Sequence, residues 1–221
     1  MSGDTPLAAA IEAAVTGIRD DLQSAYEARE RALPLCRSTI RDAANCIRAV
    51  HRGELQRAEE LLGKSRGAVG EAADALRDFP TVLHAGFVHD AQKEYVEASV
   101  TLALIDGRPL PAPVELGVAG PAYLHGLSEA VGELRRHLLD ALRRGEIKQC
   151  ERTLAQMDDI YSMLVTVDYP DAMTSNLRRS TDAARAILER TRGDYTLAVQ
   201  LDRLARRLER LEPESPAGDS D

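Results

Sequence analysis

Residues 36–53 read Cys36-Arg37-Ser38-Thr39-Ile40-Arg41-Asp42-Ala43-Ala44-Asn45-Cys46-Ile47-Arg48-Ala49-Val50-His51-Arg52-Gly53. Cys36, Ile40, Ala44, Ile47 and Val50 recur at three- and four-residue steps, the period of a helix with one apolar side. Gly53 is a natural stop after Arg52. Arg37, Arg41, Arg48 and Arg52 share a second stripe of the same helix. Arginines in a row can follow a phosphate backbone, because each guanidinium is a planar, permanently charged donor. They can equally form a solvated face paired with Asp42 and Glu54.

The same period extends along most of the chain. Upstream, Leu7, Ile11, Val15, Ile18 and Leu22 predict the apolar stripe of a first helix reaching about Leu33, which Pro34 interrupts or bends. Downstream, the pattern predicts helices over about 54–79, 81–105, 120–144 and 146–167. The segment 106–113 holds Gly107, Pro109, Pro111 and Pro113 and is the clearest loop. Asp168-Tyr169-Pro170 ends the sixth helix, and Asp171 or Thr174 can cap a last one running through Leu177, Ala184, Leu188, Tyr195, Val199, Leu204 and Leu208. No fixed-period repeat and no strand pattern stands out. The expected fold class is all-α, a single-domain bundle of about seven helices over 1–211. The acidic, Pro- and Ser-bearing stretch 212–221 is expected to be a disordered tail.

Composition agrees. Of 221 residues 44% are hydrophobic but only 4% aromatic, with no Trp, so the apolar mass is Ala, Leu, Val and Ile among 29% charged residues. That mixture suits helices and argues against a β-sandwich. No run of eighteen apolar residues occurs and no leader pattern is visible, so the expectation is a cytoplasmic protein without a membrane partner. Cys36, Cys46 and Cys150 are odd in number with no C-x-x-C pair, which speaks for buried inert thiols rather than a zinc site or a disulfide framework. The net charge of −8 at first counts against a nucleic-acid partner.

Two segments place acids inside apolar helix. In Lys93-Glu94-Tyr95-Val96-Glu97-Ala98 the glutamates are three apart, and in the stretch from Leu127 to Arg136 Glu129 and Glu133 are four apart. Each pair shares one side of its helix. If those two helices pack as neighbours, four carboxylates can face one another, a density of hard oxygen donors that suits Mg²⁺ or Mn²⁺. Gly126 and Gly132 lie in the second of these helices, where glycine usually admits a close neighbour. The competing reading is surface ion pairing. Glu97 lies four after Lys93, and Glu133 lies three before Arg136 and four before His137. Spacing alone leaves both open. A ferritin-like di-iron site is disfavoured, since Glu133–His137 and His125–Glu129 are spaced by four rather than three. His84 and His89 read as hydrogen-bonded or solvated histidines.

Three stretches resemble the translin family. They are Arg29-Glu30-Arg31 with residues 36–53; Gln92-Lys93-Glu94-Tyr95-Val96-Glu97-Ala98; and Ala122-Tyr123-Leu124-His125-Gly126-Leu127 continuing to Arg136. The likeness extends to about Leu208. It implies a seven-helix subunit that assembles into a closed, hollow octamer binding nucleic acid on its inner wall. Within the family, the translin-associated factor X branch is a metal-dependent endoribonuclease acting on RNA with single-stranded character. Its paired acids fall on Glu94 and Glu97, and on Glu129 and Glu133. The first acid of the second pair is usually aspartate, and His125 stands where an apolar residue is usual.

The expectation is therefore a translin-like, Mg²⁺-dependent (or Mn²⁺-dependent) endoribonuclease in a homo-oligomer. Glu94, Glu97, Glu129 and Glu133 would hold the metal, and Glu129 or Glu133 would position the attacking water. Arg37, Arg41, Arg48 and Arg52, with Lys93, Arg135 and Arg136, would hold RNA phosphates. The rival expectation is a non-catalytic scaffold for single-stranded RNA or DNA, and a third is a helical oligomerisation module. The net charge then loses its force, because residues 212–221 hold four acids and no base, half of the total.

Overall fold

The computed structural model describes residues 5–210, so the acidic stretch 212–221 lies outside the described residues. Among those residues the chain is helical, with turns and loops and no strand. None of the helices is long and apolar enough to cross a membrane.

Helix α1 spans Pro6–His51 without interruption. Thr5 caps it, its Oγ1 accepting from the Ala8 N–H at 3.2 Å, and Pro6 occupies the first turn, where a missing N–H costs nothing. Pro34, expected to interrupt or bend the helix, sits inside it without ending it. An interior proline costs about 3 kcal/mol, partly through the carbonyl it leaves unbonded four residues back. Here Pro34 is on the exposed side, where water can serve that carbonyl. Ala28, Ala32 and Cys36 on the opposite side are buried and hold the helix to its neighbours. Its end follows the sequence expectation. Gly53 adopts φ +74°, its N–H bonds to Val50 O at 2.9 Å, and the Glu54 N–H reaches Ala49 O at 2.9 Å, the paired bonds of a Schellman stop.

Helix α2 spans Leu55–Ala75, ending four residues before the periodicity predicted. Phe79 precedes Pro80 and is pushed out of helical geometry (φ −125°, ψ 68°), so the chain turns before a one-turn α3, Pro80–Leu83. Helix α4 spans Gly86–Asp106 and one-turn α5 spans Pro113–Leu116. Then α6 spans Gly120–Arg143 and α7 spans Ile147–Leu164. The last predicted helix is split into α8, Asp171–Thr174, and α9, Leu177–Glu209. Between them Ser175 and Asn176 take left-handed backbone (φ 53° and 68°), which interrupts the helix.

The chain gathers into two compact units, Met1–Ala130 and Val131–Asp221, with the boundary inside α6. In the first unit α1, α2 and α4 pack on one another through small side chains. One cluster joins Ala43, Cys46, Ile47 and Val50 to Leu61, Ala98 and Leu102. Another joins Ala28, Ala32 and Cys36 to Leu76, Val88 and Ala91. Alanine-rich contact lets helix backbones come close, so few aromatics are needed to fill the space. In the second unit α7 buries Cys150, Met157, Ile160 and Leu164, and α9 buries Leu177, Ala184 and Leu188.

The predicted stripe Leu7, Ile11, Val15, Ile18 and Leu22 has helical spacing, yet every member is exposed. Leu197, Leu201, Leu204 and Leu208 of α9 are exposed as well. Spacing identifies a side of a helix but not what covers it.

The three cysteines are buried and free, in line with the sequence reading. Burial pushes the Cys46 thiol up to about 12, that of Cys36 to about 11, and that of Cys150 upward too. The thiolate is the reactive form, so the folded protein should resist an aromatic disulfide reagent at neutral pH and release three equivalents only on denaturation. Stoichiometric reaction of the native protein within minutes would contradict this burial.

Candidate metal centre

Helix α4 presents His89, Lys93, Glu94 and Glu97, and α6 presents His125 and Glu129. The segment is anchored by its neighbours. Tyr95 and Val96 are buried and anchor α4, Val96 on the side that meets α6. Gln92 Oε1 accepts from the Ala119 N–H at 3.1 Å, which ties the start of α6 to α4. The Tyr123 hydroxyl donates to Pro111 O at 2.8 Å and pins the Pro-rich connection.

Gly126 fixes how close the two helices come. A Cβ there would lie 2.5 Å from Val96 Cβ and Cγ1 and 2.8 Å from the Lys93 carbonyl oxygen, closer than real Cβ contacts allow. Only glycine lets α6 approach α4 at this point. Gly132, singled out for the same reason, differs: a Cβ there would meet only Ile187 Cδ1, at an ordinary 4.0 Å.

This approach gathers Glu94, Glu97 and Glu129. Each offers one carboxylate oxygen, and the three oxygens lie within 4.8 Å of one another, with all three residues partly buried. Lys93 reaches into the group from α4. Its Nζ donates to Glu129 Oε1 at 2.8 Å and lies 3.6 Å from Glu94 Oε1. Burial raises the Glu94 pKa, Lys93 opposes the rise and Glu129 adds to it. Burial disfavours the Lys93 charge, but the bond to Glu129 and the fields of Glu129 and Glu94 outweigh it and hold the pKa above its ordinary value. Glu133 follows Glu129 one turn later on α6, already in the second unit, with Arg136 Nη1 at 3.9 Å from its carboxylate.

One turn before Lys93 and Glu129 lie His89 and His125, whose rings meet edge to face at a centroid distance of 5.3 Å. Burial lowers the His89 pKa, with His125 adding to the effect. The contact was not anticipated from sequence. Its one trace there is that His89–Lys93 and His125–Glu129 are both four-residue steps.

The basic residues have several settings. Arg37, Arg41, Arg48 and Arg52 are all exposed on α1, a continuous stripe. Arg52 grips Glu54 with two bonds of 2.7 and 2.9 Å, Arg41 lies 4.0 Å from Asp42, and Arg48 donates to Asn45 Oδ1 at 2.6 Å. Such exposed local pairs are weak, and a phosphate can replace them. Arg135 is set otherwise, donating to Thr191 Oγ1 at 2.9 Å and Asp194 Oδ2 at 2.7 Å as a strut to α9. Arg136 is exposed.

Three partly buried carboxylates make a donor set of hard oxygens, which fits a divalent cation such as Mg²⁺ or Mn²⁺ and offers nothing to a soft metal.

No protein-family model matches the chain. It is 31% identical over 186 residues to an uncharacterized protein of Methanocaldococcus jannaschii, covering 83% of this chain and 82% of that protein. Among solved structures it resembles AfC3PO in a duplex RNA complex, at 34% identity and TM-score 0.79, covering 86% of this chain and 98% of that one. The crystal structure of AfC3PO alone gives 34% identity and TM-score 0.77 over the same shares. Apo-NeC3PO shares the fold at 18% identity and TM-score 0.74, over 83% of this chain and 96% of that one. With this likeness spread over most of its length, the chain belongs to the translin family, the family of the C3PO proteins.

Proposed function

We propose that this translin-family protein binds RNA and cleaves it as a Mg²⁺-dependent endoribonuclease acting on strands of single-stranded character, within a hollow homo-oligomer. The observation that carries the reading is the convergence of Glu94, Glu97 and Glu129 from two helices, with oxygens within 4.8 Å of one another. RNA as the polyanion is supported by the AfC3PO neighbour, which was solved with duplex RNA. Single-stranded DNA is the alternative ligand for the same surface.

Glu94, Glu97 and Glu129 would hold the cation, and Glu129 or Glu133 would take the proton of the attacking water. A bound Mg²⁺ supplies Lewis acidity at the phosphoryl oxygen and a more acidic water. Arg37, Arg41, Arg48 and Arg52 hold phosphates along α1, joined by Arg136. Arg135 acts by keeping α9 against its own helix.

Incubating labelled single-stranded and duplex RNA with and without Mg²⁺, and scoring retention and cleavage together, tests this. Cleavage of the single strand only with the metal present is expected. The second reading, a binding scaffold without catalysis, is favoured by the Lys93–Glu129 ion pair, which already compensates part of the acidic charge. It predicts retention with no cut in Mg²⁺ or Mn²⁺.

The arginine stripe makes its own prediction. Replacing Arg37 and Arg48 together by Ala should flatten the slope of log affinity against log salt by about 1.4, at ~0.7 per phosphate contact on a single strand. Filter binding across a salt series reads this directly, and an unchanged slope would remove α1 from the interface. The exposed apolar stripes of α1 and α9 support an assembly of copies, proposed as an octamer, because monomers rarely leave such rows in water. A solution mass of a single chain would exclude the hollow particle.

A further inference from the structure

We propose that Lys93 is a built-in counter-ion for the acidic group, occupying the place of the divalent cation and leaving Glu129 and Glu94 when that cation binds. The inference rests on reading Glu94, Glu97 and Glu129 as the cation site, and it sets how tightly that site binds.

The geometry is specific. Lys93 immediately precedes Glu94 on α4, and its side chain crosses to α6, where Nζ lies 2.8 Å from Glu129 Oε1 and 3.6 Å from Glu94 Oε1. The ammonium therefore bridges two of the three carboxylates whose oxygens lie within 4.8 Å of one another. Its side chain is only 19% exposed, so water screens the interaction far less than it does a surface pair. Three carboxylates left together without a cation would repel one another in a partly buried setting. One lysine offsets part of that charge. A divalent ion at the same oxygens cannot share them with an ammonium at hydrogen-bond distance, because both use the same lone pairs and repel each other. Binding is thus an exchange of one charge for two, and its strength reflects the difference rather than the full attraction of three carboxylates.

Two measurements test the exchange. The first is calorimetric titration of Mn²⁺ into the full-length protein and into the Lys93→Met and Lys93→Arg variants. Loss of the competing charge should tighten Mn²⁺ binding about tenfold or more in Lys93→Met, an order of magnitude being 1.4 kcal/mol. Lys93→Arg keeps the charge and should stay close to the wild type. Equal affinity for wild type and Lys93→Met overturns the inference while leaving the cation site standing. No Mn²⁺ binding by wild type or either variant would instead refute the site, and the inference with it.

The second uses the unaltered protein and so does not depend on a variant folding. With Lys64, Lys93 and Lys148 the only lysines, ¹³Cε-lysine labelling should give three assignable signals. Addition of Mg²⁺ should move the Lys93 signal and leave those of Lys64 and Lys148 in place. A stationary Lys93 signal in protein that calorimetry shows to be saturated with Mg²⁺ would end the proposal.

Discussion

Gly126→Ala should destabilise the protein by about 1–3 kcal/mol, the usual cost of forcing an added methyl into a packed contact. Two effects compete. Alanine favours a helix interior over glycine by about 1 kcal/mol. The new Cβ, however, would sit 2.5 Å from Val96 Cβ and Cγ1 and 2.8 Å from the Lys93 carbonyl. Val96 is fully buried and a backbone carbonyl cannot swing aside, so α6 has to move away from α4. The overlap wins. That movement also separates Glu129 from Glu94 and Glu97, so the affinity for Mn²⁺ should fall together with the midpoint of urea unfolding. Gly132→Ala is the matched control, with only Ile187 Cδ1 at 4.0 Å to meet, and should be neutral or slightly stabilising. Equal unfolding midpoints for Gly126→Ala and wild type would show that the two helices do not pack as closely as described.

Replacing Glu97 and Glu133 together by Ala should abolish Mg²⁺-dependent cleavage, a fall of at least about a hundredfold, beyond the loss expected from a residue that only supports a ligand. RNA retention should stay within a factor of two, because neither carboxylate carries the attraction for phosphate. Glu97 belongs to the group of three oxygens, and Glu133 is the other acid proposed for the water. Single variants would then divide the work: Glu97→Ala should weaken metal binding, whereas Glu133→Ala should lower turnover at saturating Mg²⁺. Undiminished cleavage by the purified double variant would remove the acids from the chemistry.

What could be read in the sequence follows from what periodicity contains. Helix content, the stop at Gly53 and the loop around Pro109 and Pro111 were legible, because caps and turn residues act locally. The continuous α1 was not. Pro34 breaks helices in isolation, but the burial of Ala32 and Cys36 on the other side kept this one intact. The exposed row from Leu7 to Leu22 shows the converse limit, in that an apolar stripe predicts a partner without naming it.

The candidate site divides in the same way. Glu94 and Glu97 share one side of a helix by counting, and so do Glu129 and Glu133. Which residues meet across helices depends on register, and the register is set at Gly126 by a contact that leaves no periodic trace. The Lys93–Glu129 bridge, the His89–His125 contact and the Arg135 strut to Asp194 are all cross-helix pairs, and none was legible. The charge of −8 says little about local fields for a related reason, since a total does not record that Arg37, Arg41, Arg48 and Arg52 line one exposed face.

The acids of α4 and α6 are proposed to hold the catalytic cation. Anomalous diffraction from crystals grown with Mn²⁺ locates that ion without reference to activity. A peak bonded to carboxylate oxygens of Glu94, Glu97 and Glu129, with Lys93 Nζ withdrawn from Glu129, is expected. A Mn²⁺ peak bound elsewhere on the chain, in crystals of protein that cleaves RNA, would contradict it.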